Sequence, residues 1–332
     1  METRKVQVTG GSTYTVSLPK EWATENGVDS DTTVEFHSER DLLLLTPQTD
    51  NGRTEGTLDI TGLDNDKELI RAVMTMYVSG FDVINLETDR MTAGQRRTIR
   101  DATQGLVGLE VIEEMPSRMV LQDLLDSSEL SMENAITRMR LVALTMLEDA
   151  VEALVTDADE LAQDVVERDD DVDRLWYMTS RVFRTVLRNP TAADEIGFSR
   201  ETCFDLQSSA RQLERIADHA TKIAKLALEI GEVPGNAAEP LRVLEQQAST
   251  VPETAMDALL TDESADAVEL AGQAQDHMDE VDERVRDVDK EIHEFEPQIA
   301  QVLGLVVDSL SRTADYGGNI AENALQKAAP KP

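Results

Sequence analysis

Two pairs of acidic residues stand out by their spacing in this 332-residue chain. One pair is Asp169 with Asp173, and the other is Glu214 with Asp218. On an α-helix, residues one turn apart share a face, so the two carboxylates of each pair repel each other. Antiparallel packing of the two helices would bring the pairs together as a hard, oxygen-rich site for a divalent or ferric ion. We expect iron, zinc, manganese or magnesium at such a site.

The same acids also fit a solvated helix face. In a chain this acidic, carboxylates one helical turn apart arise by chance, and Arg215 and Lys222 stand near Glu214 and Asp218. Ordinary helix ion pairs of this kind are each worth only about 0.3–0.5 kcal/mol. The spacing alone therefore leaves open whether a metal ion or neighbouring basic side chains offset the repulsion.

Long helices must position these acids. From Ser131 to Lys327 the apolar residues follow a helical period, and the pattern divides into two rough repeats. The predicted helices lie near 131–156, 159–189 and 199–230 in the first repeat, and near 239–260, 263–294 and 297–327 in the second. Small residues along the seams, such as Ala220 and Gly317, allow close helix approach.

The second repeat departs from the first at the candidate site. Val285 and Ser311 occupy the first position of each registered pair, which leaves Asp289 and Asp315 as single acids. Tyr316 stands where the first repeat has a histidine. We therefore expect any metal site in the second repeat to be lost or much weakened.

The run from Leu213 to His219, Leu-Glu-Arg-Ile-Ala-Asp-His, resembles the signature of the PhoU family of phosphate-signalling proteins. The resemblance implies two three-helix bundles. It also implies that Asp169, Asp173, Glu214 and Asp218 are metal ligands, with the histidine after Asp218 as an accessory ligand.

The first 48 residues form a separate, strand-rich segment. Residues 6–8 and 14–18 alternate in polarity on either side of a glycine turn, and 33–36 and 42–45 are two more short strands. Because the segment is too small to bury much of a core alone, we expect it to dimerise.

The run from Gly11 to Trp22 resembles the AbrB/SpoVT class of DNA-binding domains, in its archaeal version. In that class two chains interleave hairpins into one small barrel. The resemblance implies that Arg4, Lys5 and Lys20 contact DNA phosphates, and residues 3–20 contain no acid. Acids return directly after this patch, so the alternative is a barrel that only dimerises or contacts another protein.

The middle segment, 57–127, predicts a small α/β sandwich with its helices on one face of the sheet. Its order is strand, helix, strand, helix, strand, strand, and Thr92 is placed to cap the second helix. It contains no phosphate-binding loop and no nucleophile pattern. We expect a spacer or a dimer contact rather than a ligand site.

The charge balance is extreme, with 31 basic against 66 acidic residues and a formal net charge of -35. Such a surface suits a cytoplasm of very high salt, so we expect a halophilic, archaeal source. A single cysteine, Cys203, excludes an intramolecular disulfide. No leader and no apolar run of about 20 residues is present, which predicts a soluble, cytoplasmic protein.

These patterns predict a mainly α fold: a swapped-hairpin β-barrel at 1–48, an α/β sandwich at 57–127, and helical repeats at 131–235 and 239–328. We predict a phosphate-responsive transcriptional regulator that binds DNA through its N-terminal barrel as a homodimer or higher oligomer. The alternative is an adaptor that negatively regulates a phosphate transporter or its signalling partner. No nucleophile–base spacing indicates an enzyme, and a metal-dependent hydrolase is the least favoured of the three.

Overall fold

The computed structural model of the chain describes residues 3–39, 42–47, 53–125 and 131–330. Its internal contacts divide it into two compact units, Met1–Arg53 and Thr54–Pro332. The predicted domain ends at 48 and 127 lie outside the described residues.

The described residues of the first unit form two hairpins and one short helix. The strands β1 (Gln7–Thr9) and β2 (Thr13–Thr15) pair antiparallel, followed by the helix α1 (Lys20–Glu25). The strands β3 (Val34–Glu39) and β4 (Leu42–Pro47) form the second antiparallel pair. The described residues of this unit thus hold two separate two-stranded sheets and no closed barrel. The predicted barrel interleaves two chains, so it stays a prediction.

The first hairpin has one apolar and one polar face. Val8 lies opposite Tyr14 in the register, and these side chains are 62% and 77% exposed. Thr9 lies opposite Thr13 on the other face. Within the described part of this unit no residue is buried. An uncovered apolar face on a two-stranded hairpin is unstable in water, which favours a covering second chain.

We expect Val8→Asp to weaken self-association of the full chain about tenfold or more, because it places a charge in the apolar face. Thr9→Asp adds the same charge to the polar face and is the matched control. Sedimentation in concentrated KCl measures both. A wild-type chain that is monomeric at all concentrations would contradict the prediction.

The second unit begins with an α/β layer. Its elements are β5 (Glu55–Asp59), α2 (Asp66–Val78), β6 (Val83–Glu87), α3 (Ala93–Gln104), β7 (Leu109–Glu114) and β8 (Arg118–Asp123). The sheet order is β5-β6-β8-β7, with only β5 and β6 parallel. Thr92 caps α3 in a capping box with Gln95, as predicted. Leu69, Ile99 and Leu121 are buried where helices meet sheet, which confirms the α/β sandwich.

Seven helices follow: α4 (Met132–Thr156), α5 (Asp159–Arg188), α6 (Pro190–Ile196), α7 (Arg200–Ile230), α8 (Gly235–Leu260), α9 (Ser264–Ile292) and α10 (Pro297–Ala328). The six long helices match the predicted ones, whereas α6 was not predicted. Pro190 begins this helix, and proline suits a first helical position because its missing amide hydrogen would have no intrahelical partner there. In the part of the chain that the structure describes, no helix is both long and apolar enough to cross a bilayer.

The six long helices form two three-helix bundles that share one hydrophobic core. In the second bundle, α10 approaches α8 closely at Gly317. A Cβ atom added there would lie 2.6 Å from the backbone nitrogen of Pro252 and 2.8 Å from Cγ1 of Val251. Gly304, in the same helix, has no atom within 4 Å of an added Cβ. The close approach to α8 therefore depends on the missing side chain of Gly317, and the neighbouring Gly318 lies as close to α9, where an added Cβ would be 2.8 Å from Sδ of Met278.

Gly317→Ala should lower the free energy of unfolding by about 1–3 kcal/mol, because α8 and α10 must move apart. Gly304→Ala should raise it by about 0.5–1 kcal/mol, because alanine favours the helix and meets no neighbour. Urea unfolding of both variants tests the contrast. Equal effects of the two substitutions would contradict it.

Arg181 of α5 fixes the α/β layer to the first bundle. Its side chain is 5% exposed and donates to the carbonyl oxygens of Tyr77 and Phe81 at 2.8 and 2.9 Å. It also pairs with Asp82 at 2.8 Å and Asp123 at 2.9 Å. Since the guanidinium satisfies carbonyls at and just beyond the end of α2 as well as two carboxylates, it holds the α/β layer against the first bundle.

Candidate functional site

The packing of α5 against α7 brings the four predicted acids into one region. Glu214 is 8% exposed, whereas Asp169 and Asp173 are half-buried and Asp218 is exposed. Each of the three less exposed acids feels the negative charge of Asp218. The antiparallel approach predicted from the spacing is therefore present in the structure.

Burial and mutual repulsion make these carboxyl groups hard to ionise. Burial, and after it the charge of Asp218, raises the pKa of Glu214 to about 7. Burial, followed by the charges of Asp169 and Asp218, raises the pKa of Asp173 to about 6. The pKa of Asp169 is raised by burial and then by Asp218. Such shifts indicate carboxylates that lack a full complement of positive charge.

Two side chains partly satisfy the cluster. Arg211 donates to Oε1 of Glu214 at 2.6 Å, and its guanidinium lies over the Trp176 ring, 5.2 Å from the centroid. The hydroxyl of Tyr177 donates to Oδ2 of Asp173 at 3.3 Å. The second oxygen of Glu214, Oε2, is buried without a hydrogen-bond partner. An unsatisfied buried carboxylate oxygen is the kind of atom that a hard cation would coordinate.

The four acidic side chains are not placed as ligands of one metal ion. Among the described residues, no three acidic, histidine or cysteine side chains lie close enough together to hold a metal ion. The donor chemistry and the unsatisfied Oε2 of Glu214 fit a hard cation, whereas the positions of the carboxylates do not form a coordination shell. Metal binding by the four acids stays a prediction.

His219 lies against the other bundle. Its Nε2 is 3.3 Å from the Tyr316 hydroxyl of α10, and the ring centroids are 5.6 Å apart. Burial, and then the charge of Lys222, lowers the pKa of His219. His219, the predicted accessory ligand, therefore contacts Tyr316, the residue at the corresponding position of the second repeat.

The second repeat has no comparable arrangement in its described residues. Val285 packs against the hydrophobic core, and Asp289 is exposed. Asp315 is paired with Arg312 at 3.1 Å. An apolar side chain and an ordinary helix ion pair stand where the first repeat places carboxylates.

Sequence reasoning missed the role of Tyr177. The helical period assigns the aromatic residues of α5 to the bundle core, and Trp176 and Phe183 do pack against it. Tyr177 instead packs against the core of the α/β layer. No signal in the sequence sets Tyr177 apart, because Arg181, one turn later, is one of four arginines from position 174 to position 188.

The predicted DNA contacts lie on the first unit. Arg4, Lys5 and Lys20 are all exposed, and Lys20 is the first residue of α1. A negative phosphate oxygen is attracted to an exposed basic side chain and also to the partial positive charge at the start of a helix. Exposure of all three residues is what such a contact requires.

We expect metal-free protein to lose stability as the pH rises from about 4.5 to about 7 through the titration of Glu214. The folded state holds a proton there that the unfolded state has released, so rising pH favours unfolding. Glu214→Gln should reduce this loss by an amount on the order of 2–3 kcal/mol. Urea unfolding across this pH range measures it, with Glu283→Gln, an exposed acid of α9, as the control. Identical pH profiles for wild type and Glu214→Gln would contradict the assignment.

Comparison with known proteins reveals two matches along the chain. Residues 136–227 match the PhoU domain family. Residues 7–53 match the family described as antidote-toxin recognition MazE, bacterial antitoxin. These matches confirm the PhoU resemblance and the small antitoxin-type, AbrB-like N-terminal domain.

The relatives agree with the first match. The chain is 28% identical over 180 residues to a phosphate-specific transport system accessory protein PhoU homolog of Pseudomonas aeruginosa, covering 52% of this chain and 72% of the relative. A homolog from Pseudomonas putida is also 28% identical over 180 residues, covering 52% and 68%. The crystal structure of PhoU from Pseudomonas aeruginosa aligns with a TM-score of 0.52 and 25% identity, covering 61% of this chain and 99% of that chain. The predicted pair of helical bundles is thus confirmed.

Proposed function

We propose that this chain, which carries a PhoU domain behind a MazE-like N-terminal domain, is a regulator of phosphate transport. One observation carries the proposal: the alignment with the PhoU structure from Pseudomonas aeruginosa spans 99% of that chain. The relatives with which it aligns in sequence are named as accessory proteins of a phosphate transport system. In this proposal the chain acts in the cytoplasm by binding partners and performs no catalysis.

We further propose that the regulation is transcriptional. The first unit would bind DNA as a dimer, with Arg4, Lys5 and Lys20 on the phosphates. Three observations support this: the side chains are exposed, residues 3–20 contain no acid, and the segment matches an antitoxin family. A local basic patch is needed because the rest of the chain is strongly acidic and repels DNA.

The adaptor alternative rests on a specific observation as well. The N-terminal family is described by its recognition of another protein, the toxin. In this alternative the first unit only associates with proteins, and the chain controls a phosphate transporter or a signalling partner directly.

A genome-wide pulldown of DNA bound to the chain, in high and in low phosphate, separates these proposals. Regulation of transcription predicts enriched sites that change with phosphate. Enrichment of no site in either condition, together with co-purification of a transporter subunit, would favour the adaptor.

Lys20→Ala should weaken DNA binding uniformly across sequences and reduce the slope of log affinity against log salt by about one. The reason is that loss of one phosphate contact releases about one counterion fewer. Lys67→Ala, which removes an exposed lysine from the second unit, is the control. Fluorescence anisotropy over a KCl series gives both slopes. Loss of preference at one base pair with an unchanged slope would contradict a phosphate contact.

We also propose that Asp169, Asp173, Glu214 and Asp218 hold iron, zinc, manganese or magnesium. The bound ion would supply the positive charge that offsets carboxylate repulsion. The unsatisfied Oε2 of Glu214 and the raised carboxyl pKa values support this.

Glu214→Ser, which copies Ser311 of the second repeat, should abolish most metal binding, because it removes the buried carboxylate. Ser311→Glu should restore little in the second repeat, since Val285 faces that region. Calorimetric titration with each of the four metals measures binding. Equal binding by wild type and Glu214→Ser would contradict the assignment of Glu214 as a ligand.

A further inference from the structure

A groove runs between α4 and α8, the first helices of the two bundles, and encloses about 1000 Å³. The two helices are antiparallel, because Arg140 of α4 pairs with Asp257 near the end of α8 and Glu152 pairs with Arg242 near its start. The groove lies outside the α5–α7 region that carries the candidate metal ligands. Nothing in the proposed function makes use of it.

Ion pairs bridge the helices at both ends of the groove. At one end Arg140 and Asp257 form a direct pair. At the other, Arg242 makes a bidentate contact with Glu152, with donor–acceptor distances of 2.8 and 3.0 Å. These contacts hold α4 and α8 at a fixed separation and neutralise the charges at the ends.

The centre of the groove holds two acidic residues, Glu148 of α4 and Glu245 of α8, and neither makes a salt bridge within the described part of the chain. Burial, and then the charge of Glu148, raises the pKa of Glu245. Glu245 is 9% exposed, and its Oε1 accepts a hydrogen bond from Ser249 at 2.6 Å. Two carboxylates between neutralised ends leave room for a cationic group at the centre. Arg138, which also lines the groove, lies toward the Arg140 end.

An apolar side chain accompanies this charge. Leu141 is 68% exposed and lies two turns before Glu148 on the same face of α4. Leu144 lines the groove between them, while Ser249 and Thr250 provide a low wall on α8. A groove between two helices, with apolar residues beside a charged centre, is the shape that receives an amphipathic helix.

Charge decides the kind of occupant. A second copy of this chain has a net charge of -35 and would bring further acids to an acidic groove. A basic helix instead supplies the missing cation. Arg140 and Glu152, at the two ends, are about 18 Å apart along α4 at a helical rise of 1.5 Å per residue, which corresponds to about twelve residues of bound helix.

We propose that this groove binds an amphipathic helix of a partner protein, with a lysine or arginine placed between Glu148 and Glu245 and apolar residues covering Leu141. The bound helix packs along α4 and α8 together, so it recognises the two bundles in their joined arrangement. Binding of such a partner depends on the relative position of the two bundles as well as on the side chains that line the groove.

The probe for the test is an alanine-based helical peptide with a leucine stripe and two central lysines, labelled for anisotropy and carrying a photo-crosslinker. A peptide with glutamates in place of the lysines is the charge control. Binding to the full chain is measured in 1 M KCl, where screening acts within about 3 Å and removes long-range attraction to the acidic surface. Crosslinks are mapped by mass spectrometry.

We expect the lysine peptide to bind and to crosslink to α4 and α8. Glu148→Gln with Glu245→Gln should weaken binding about tenfold or more, and Leu141→Asn severalfold. Asp279→Asn with Glu283→Gln removes two exposed acids from α9 and should change affinity less than about twofold. If Glu245→Gln impairs folding, Glu148→Gln alone, at an exposed position, should still weaken binding.

Four results would overturn the proposal: no binding of the lysine peptide, equal binding of the glutamate peptide, crosslinks outside α4 and α8, or equal losses in the groove and control variants. Sedimentation provides one more test. If the free Leu141→Asn variant sediments with a lower mass than the free wild-type protein, a second copy occupies the groove and the proposal is wrong.

Discussion

The contact between α7 and α10 is the constraint on which the second unit depends. Asn323 of α10 donates to the hydroxyls of Ser208 and Ser209 at 3.2 and 3.0 Å, and Asn319 donates to Gln212 at 3.3 Å. These polar contacts lie along a seam of small residues that lets the two helices approach. Because each bundle contributes its last helix, the two repeats share one core instead of two. Neither bundle can open without exposing apolar surface of the other.

Burial of α7 on several sides explains the state of the acids. It packs against α4, α5 and α10, so Glu214 is drawn into the interior with the helix. Arg211 satisfies one oxygen of Glu214 and leaves the other without a partner. A buried polar atom without a partner costs about 1–3 kcal/mol, which a cation bound at Oε2 would offset.

Local periodicity predicted most of the helices but little of what joins them. The sequence predicts the spans of the six long helices, the cap at Thr92 and the small residue Gly317 of α10, because each depends on neighbours in sequence. The two acid pairs were readable for the same reason, whereas their failure to converge depends on side-chain positions across α5 and α7. The ties from α5 to the α/β layer, made by Arg181 and Tyr177, join residues about a hundred positions apart and leave no periodic signal.

The position of α5 between two cores has a mechanical consequence. On one side it packs against α7 and carries Asp173; on the other it packs against α2 through Tyr177. The same Tyr177 donates its hydroxyl to Asp173, so one side chain touches both the acid region and the α/β core. Arg181, one turn later, donates to the carbonyl oxygen of Tyr77 in α2. A lysine cannot reproduce the several fixed donor directions of the planar guanidinium. A displacement of α5 relative to α7 must therefore either carry the α/β layer with it or break buried hydrogen bonds, and packed interfaces of this kind resist gradual deformation.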